Sequence, residues 1–255
     1  MPVQQRYAVQ QGYAEWPARR SPRSSVTCLW ASRPSEVAGL VLPDACIDIV
    51  WDGTSIFVAG PDTGPVPVPP RPGQCFAGLR FWPGKAPAFL GVPASELLDR
   101  RVSLGDLWGH AATASLADRL AVAPSPCHAA GLLDEAIADR AGEAPDSDPI
   151  VDHLVAVFRK QPDAGGVVQL ASQILSVGER RLHRHCLAAV GYGPKMLERV
   201  LRFQRARRLA RDNGSLATVA ALAGYADQAH LTREARRLAG RTPSDLFKTA
   251  PIAAS

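Results

Sequence analysis

The chain has 255 residues, 46% of them hydrophobic, and a formal net charge of +5. This length suits one large domain or two ordinary ones, and the composition is typical of a globular protein. The apolar runs fall well short of the roughly 18 residues that a membrane span needs. The N-terminal sequence lacks the apolar core of a signal peptide. We therefore expect a cytoplasmic protein without a membrane partner.

The charge is unevenly distributed along the chain. Residues 148–255 contain 17 Lys and Arg against 9 Asp and Glu, a balance of +8, whereas residues 1–147 contain 12 against 15, a balance of −3. A basic C-terminal half beside a slightly acidic N-terminal half indicates a polyanion as the partner of the C-terminal half.

The five cysteines are odd in number and form no C-x-x-C pair. This pattern argues against both a four-cysteine zinc site and a disulfide framework. We expect free thiols packed in or near the core.

The N-terminal half begins with short apolar segments separated by turn residues. An Asp52-Gly53 pair between two of them is typical of a β-hairpin, and a stretch rich in Pro and Gly follows at residues 61–73. Strands are predicted at 26–31, within 40–51, at 55–60 and at 75–82. Several short strands with regular turns predict a small β-barrel or sandwich.

The hydrophobic period then changes to that of helices. Short helices are predicted at 87–90, 93–98 and 103–108, and longer ones at 112–121 and 128–140. Residues 141–149 are polar and rich in helix breakers, so we place a boundary there. The prediction is an α+β chain with a β-rich N-terminal domain, residues 1–147, and an all-α C-terminal domain, residues 148–255.

The C-terminal half contains two helix-turn-helix patterns joined by a long basic helix. Asp148 can cap, and Pro149 can open, a helix that runs to residue 160. The first pattern pairs a helix at 167–175 with a second helix from residue 179, whose Leu182 and Cys186 face inward. The connecting helix begins at Pro194 and runs to residue 212.

The second pattern has the clearer turn. A short helix runs to residue 223, and Gly224 can adopt the positive φ that a tight C-cap needs. Asp227 can N-cap the next helix, on which Leu231 and Ala235 face inward. A last short helix begins after Thr242 with a capping box.

Two such units can place one helix each in successive major grooves, about 34 Å apart. The connecting helix spans roughly 27 Å at about 1.5 Å per residue. Side chains suited to base edges are Arg180, Arg181, His183, Arg184, Gln228, His230, Thr232 and Arg233. Phosphate contacts are expected from Lys195, Arg199, Arg202, Arg241 and Ser244. The alternative for the arginines is a solvated basic face, and for His230 local packing or capping.

The C-terminal motifs resemble the AraC/XylS family of transcription regulators. The matching residues are Leu182, Arg184, Val190, Gly191, Pro194, Lys195, Arg202–Ala206, Ala220, Gly224, Tyr225, Asp227, His230, Leu231, Arg233, Gly240, Thr242 and Pro243. The resemblance covers residues 148–247 and implies an all-helical domain that binds double-stranded DNA. It departs at Ser172 and Ser176, where the family usually has Ala and Gly.

The N-terminal half resembles the sensor domain of an actinobacterial branch of that family. The matching segments lie at residues 42–48, 59–64, 80–84, 90–93 and 107–109. The resemblance implies a cupin-like barrel for effector binding or dimerisation. Since this half has only two histidines, His110 and His128, the cupin metal pattern is missing, and we expect no metal and no cofactor.

The effector-binding candidates of this half are Asp44, Asp48, Asp62 and Arg80. Turn capping and buried salt bridging are favoured over effector contact for these residues. The effector, RNA polymerase and a second copy of the chain remain open as partners.

The leading function is a sequence-specific DNA-binding transcription regulator, and two alternatives compete with it. One is an alkyl-acceptor repair enzyme that uses Cys127 as its reactive thiol. We predict that Cys127 lies in a loop between helices, and the sequence shows no Arg or Lys beside it that would activate the thiol. The other is a nonspecific architectural DNA-binding protein. We expect no catalytic residues.

Overall fold

The computed structural model describes residues 12–33, 39–69, 73–160, 173, 177–212 and 215–248. The N-terminal half is built on a six-stranded antiparallel sheet with the order β1-β2-β7-β4-β5-β8. Its strands are β1 (Tyr13–Trp16), β2 (Val26–Ser32), β4 (Asp48–Trp51), β5 (Ile56–Ala59), β7 (Phe76–Phe81) and β8 (Arg101–Ser103). A second, two-stranded sheet pairs β3 (Gly39–Val41) with β6 (Val66–Val68). The four predicted strand regions contain β2, β3 with β4, β5, and β7, whereas β1, β6 and β8 are additional strands.

Alternation along the strands gives the large sheet two different faces. Leu29, Leu79 and Ile49 point to one face and form the main N-terminal core with the helices that follow. Trp30 and Val50, one residue out of phase, belong to a smaller apolar cluster on the other face. The main core therefore lies between the sheet and the helices.

The helices of this half are α1 (Ala86–Leu90), α2 (Leu104–Trp108), α3 (His110–Ala121) and α4 (Pro126–Arg140), with a 3-10 turn at Ala94–Glu96. Helix α4 packs on β2 and β7. Leu133 and Ile137 on its inner face are almost fully buried.

The C-terminal half is helical. Its described helices are α5 (Pro149–Lys160), α6 (Glu179–Val190), α7 (Pro194–Asp212), α8 (Leu216–Ala223), α9 (Gln228–Ala239) and α10 (Pro243–Lys248). The helix predicted at 167–175 falls outside the described residues apart from residue 173, as do Ser172 and Ser176. The β-rich half followed by a helical half confirms the predicted α+β architecture.

Local capping explains where these helices begin and end. Asp148 accepts the Ile150 N–H at 2.9 Å, and Asp227 accepts the His230 N–H at 2.6 Å, as predicted for N-caps. Gly191 and Gly224 end α6 and α8 with φ of 85° and 83°. That left-handed conformation is open to glycine at little steric cost.

Helix α7 connects two apolar clusters of the C-terminal half. Leu197, Val200 and Phe203 are fully buried in the first cluster, together with residues of α5, α6 and the end of α9. Ala206 belongs to the second, around Tyr225 and Leu231. Tyr225 thus fills the core of its own unit. Of the helices described, none is long and apolar enough to cross a bilayer.

Candidate nucleic-acid interface

Helix α6 presents a basic outer face on a buried apolar stripe. Leu182 and Cys186 are fully buried, as their four-residue spacing predicts. The four predicted base-contact residues of this helix all have exposed side chains: Arg180, Arg181, His183 and Arg184. Helix α6 is therefore the first candidate reading helix.

His185 joins α6 to the N-cap of α5, and Arg181 and His183 make contacts near their own helix. The Nδ1 atom of His185 forms a short hydrogen bond with the carboxylate of Asp148, which also caps α5. Arg181 Nε donates to His185 Nε2 at 3.4 Å. The His183 ring lies against Gly193, where an added Cβ would come within 2.7 Å of Nε2. His183 is thus partly engaged in packing at the end of its own helix.

Helix α9 is the second candidate reading helix. Leu231 and Ala235 are fully buried, whereas Gln228 and Arg233 are exposed. Thr232 is half-buried and donates its hydroxyl to the Gln228 carbonyl at 2.9 Å. These positions match the inner and outer faces predicted from the sequence.

His230 lies at the start of α9 against the aromatic ring of its own turn. Its ring meets the Tyr225 ring edge-on, with centroids 5.2 Å apart. This geometry is that of local packing, the alternative role for His230. A base contact by His230 stays a prediction.

The predicted phosphate contacts fall into two groups. Lys195 and Arg241 are exposed near the ends of reading helices. Arg199 is half-buried and donates two hydrogen bonds to Glu234 of α9, at 2.8 and 2.7 Å. Arg202 is also half-buried, 3.5 Å from Glu198 and with its guanidinium over the Tyr225 ring. Ser244 lies half-buried in the first turn of α10.

The Arg199–Glu234 pair has an electrostatic consequence. The hydrogen bonds that Arg199 donates to Glu234 raise the pKa of Arg199, although partial burial opposes the shift. The guanidinium is thus held as a cation between α7 and α9. Arg199 links the two helices, and its phosphate contact stays a prediction.

A cluster of arginines between α5 and α7 was not identified from the sequence. Burial lowers the pKa of Arg208, and repulsion from Arg159, Arg205 and Arg211 lowers it further. The α7 members are visible in the sequence, but Arg159 reaches them from α5. Only the packing of the two helices brings the four cations together.

In the N-terminal half, the candidate effector residues form ion pairs. Arg80 donates to both oxygens of Asp48 at 3.0 Å and lies 3.6 Å from Asp44 and 3.1 Å from Glu15. Trp30 Nε1 adds a hydrogen bond to Asp48 at 2.9 Å. Attraction by Asp48 and Asp44 outweighs burial and raises the pKa of Arg80.

Asp62 is apart from that group. It forms a two-bond ion pair with Arg101, at 2.9 and 2.8 Å. All four candidates are therefore in the structural arrangement that the sequence favours for them, and effector contact by any of them stays a prediction.

Cys127 lies in the first turn of α4, so its predicted loop position is wrong. Burial raises the pKa of its thiol, although Arg33 lowers it in part. A raised pKa is the opposite of what an activated nucleophile needs. Among the described residues, no cluster of His, Cys, Asp and Glu could hold a metal ion.

Two protein-family models match the chain. Residues 171–249 match a helix-turn-helix domain of the AraC type, and residues 21–103 match a domain of unknown function, DUF6597. The chain carries an AraC-type helix-turn-helix domain. This domain supports a role for the chain as a DNA-binding transcription regulator.

Solved structures of ToxT from Vibrio cholerae are similar to the chain. An apo variant has a TM-score of 0.49 at 10% identity and covers 90% of this chain and 98% of its own. Another ToxT structure has a TM-score of 0.46 at 10% identity, with coverage of 93% and 96%. Wild-type ToxT bound to an unsaturated fatty acid has a TM-score of 0.45 at 9% identity, with coverage of 88% and 99%. No curated protein sequence matches the chain significantly.

The AraC-type domain contains helices α6 to α10. Its two candidate reading helices, α6 and α9, each carry exposed polar and basic side chains on a fully buried apolar stripe. Helix α7 packs against helices of both units. The domain thus combines a basic surface with a continuous helical support.

Proposed function

We propose that the protein is a sequence-specific transcription regulator that reads two successive major grooves of double-stranded DNA with α6 and α9. The observation that carries the proposal is the pairing of two exposed polar helices on one continuous helix, α7, of 19 residues. Because its partner is DNA, the proposal also places the protein in the cytoplasm.

Arg180, Arg181 and Arg184 give α6 the denser set of groups for guanine edges. On α9, Gln228 suits adenine and Arg233 suits guanine. We therefore assign more of the base reading to α6. Lys195 and Arg241, exposed beside the reading helices, hold the phosphate backbone in this proposal.

Control by a small effector or by a protein contact at the N-terminal half is the second part of the proposal. The ion pairs of Asp44, Asp48, Asp62 and Arg80 favour a structural role for these four side chains. RNA polymerase and a second copy of the chain are the partners that a regulator of this kind would engage.

Selection of bound duplexes from a random pool tests the proposal. One protomer reading two grooves predicts a single asymmetric site of about 17–20 base pairs. A repeated or symmetric site would instead indicate a dimer. A bound pool without enriched sequence would overturn specific reading and favour the nonspecific architectural protein.

A further inference from the structure

The N-terminal half contacts the C-terminal helices α5, α6 and α7 through segments that belong to its own sequence motifs. They lie at residues 42–45, 61–65, 82–85 and 94–98, within or beside four of the five motifs that resemble a sensor domain. We call these segments the docking surface. The fifth motif, at 107–109, lies elsewhere, with Trp108 donating to the Phe89 carbonyl and stacked under Arg140.

The first contact joins the docking surface to α7. Leu42 and Ala45 are 1% and 2% exposed and belong to the same apolar cluster as Leu197 and Leu201. Gln204 Nε2 donates to the Pro43 carbonyl at 2.5 Å. The core of the AraC-type domain therefore includes residues of the other half, across the predicted boundary.

The second contact joins it to α5. An added Cβ at Gly84 would lie 3.2 Å from Val151 Cγ1, so the Gly84 backbone lies close against the Val151 side chain. Lys85 Nζ donates to Asp152 at 2.6 Å. The Arg159 guanidinium stacks on the Trp82 ring at 4.3 Å.

The third contact meets the first reading helix itself. Gly191, the C-cap of α6, has a φ of 85° and abuts the N-terminal half: an added Cβ would lie 2.7 Å from Pro61 Cγ and 3.0 Å from the Ala94 carbonyl oxygen. Pro61 is held in turn, because its carbonyl accepts the Asp99 N–H at 3.0 Å. The end of α6 thus rests on a fixed piece of backbone.

The second unit meets the N-terminal half less closely, although the end of α9 shares the first apolar cluster with Leu42 and Ala45. Its apolar cluster around Tyr225 and Leu231 contains no residue of the N-terminal half, as far as the described residues show. At Gly240, the C-cap of α9, an added Cβ would lie 3.7 Å from Pro65 Cγ, an ordinary contact distance. The docking surface therefore engages the first unit much more closely than the second.

We propose that the domain of unknown function is a docking domain, whose docking surface sets the position of the first reading helix. DNA reading by α6 then depends on the N-terminal half, whereas reading by α9 depends on α7. This inference rests on the proposed function. It makes Pro61 and Gly191 positioning residues for DNA recognition, although neither belongs to the predicted DNA contacts.

The test uses two matched pairs of variants in the full-length protein. Pro61→Ala removes the ring that α6 rests on, and Pro65→Ala is its control at an ordinary contact. Gly191→Ala forces a clash at the docking surface. Gly240→Ala is its control, because this position follows the other reading helix and also has a left-handed backbone, but an added Cβ there meets no clash. Amide hydrogen exchange and selection from a random DNA pool are measured for each.

We expect Pro61→Ala and Gly191→Ala to increase exchange at the C-terminal turn of α6 and at Ala94–Glu96, and the controls to leave both segments unchanged. Preference at the bases read by α6 should fall about tenfold in the two variants, within the usual range of coupling between sites. Preference at the bases read by α9 should persist. If Gly191→Ala does not fold, Pro61→Ala carries the test.

Unchanged exchange in α6 and unchanged base preference in Pro61→Ala would overturn the docking role. If the wild-type protein selects no sequence at all, the proposed function fails, and hydrogen exchange alone then decides whether the two halves are coupled.

Discussion

Arg199 on α7 and Glu234 on α9 form a two-bond ion pair, with Nε–Oε2 and Nη2–Oε1 distances of 2.8 and 2.7 Å. The two side chains are 19% and 12% exposed. The pair holds the second reading helix, α9, against the connecting helix, α7. Glu234 is the residue that follows Arg233, one of the predicted base contacts. The ion pair thus engages the Arg199 guanidinium, which the sequence predicts to contact a DNA phosphate.

Removing either partner leaves a largely buried charge, so Arg199→Ala and Glu234→Ala should each lower the free energy of unfolding by about 1–3 kcal/mol. The double variant should cost about as much as either single one. Denaturant unfolding of the four proteins measures this coupling. Two results together would instead assign Arg199 to a phosphate contact. The losses of unfolding free energy would be additive, and the slope of log DNA affinity against log salt would fall by about 0.9 in Arg199→Ala only.

Arg180→Ala and Gln228→Ala should each relax preference at their own base position, by about 1–3 kcal/mol of discrimination. Both side chains are exposed on reading helices, and both suit bidentate contacts with a base. Binding to duplexes with single base changes measures the effect. Equal losses on every duplex would contradict the base-reading role.

Lys195→Ala and Arg241→Ala should weaken binding to all duplexes alike, because phosphate contacts carry no direct sequence information. Each should also reduce the slope of log affinity against log salt by about 0.9. Arg23→Ala, an exposed arginine of the N-terminal half, is the control and should leave both quantities unchanged.

Local signals in the sequence predicted much of the C-terminal half. Pro194 opens α7, Gly224 ends α8 and Asp227 caps α9, because capping depends on residues within one helical turn. Four-residue spacing likewise predicted the buried positions of Leu182 and Leu231. These arguments need no knowledge of distant segments.

Contacts between distant segments could not be predicted in this way. The Arg199–Glu234 and Lys85–Asp152 pairs join residues 35 and 67 positions apart. The strand β1 lies in a Pro-rich lead-in, and the strands β6 and β8 have three residues each, so their patterns are too short to stand out. We predicted two domains that meet between residues 147 and 148, yet Leu42 packs into the C-terminal core. The boundary itself stays a prediction.

Exchanging the charges of Lys85 and Asp152 should test the contact between the docking surface and α5. Lys85→Asp alone places two carboxylates together, and we expect it to lower stability by about 0.5–1 kcal/mol, since the pair is partly exposed. Adding Asp152→Lys should restore most of the loss. Thermal unfolding at low and high salt measures it, and no recovery in the double variant would contradict the contact.

Asp134 on α4 should contribute stability that is lost in acid. Burial alone would raise its pKa, but hydrogen bonds from Ser21 and the backbone N–H groups of Arg19 and Arg20 lower it. A lowered native pKa means that the contribution is full above the unfolded pKa of about 4 and disappears as the pH falls through the native value.

Asp134→Asn should therefore lower the free energy of unfolding by about 1–3 kcal/mol at neutral pH. The difference from the wild type should shrink in acid, below about pH 4. Asp139→Asn, an exposed position on the same helix, is the matched control. A difference that stays constant with pH would contradict the role of the ionised carboxylate.

The most direct measurement of sequence-specific reading is the ratio of affinities for the selected duplex and a scrambled duplex of equal length, both at one salt concentration. Two helices that read base edges predict a ratio of about 10³ or more. A ratio below about tenfold would contradict specific reading and identify a binder of the phosphate backbone alone.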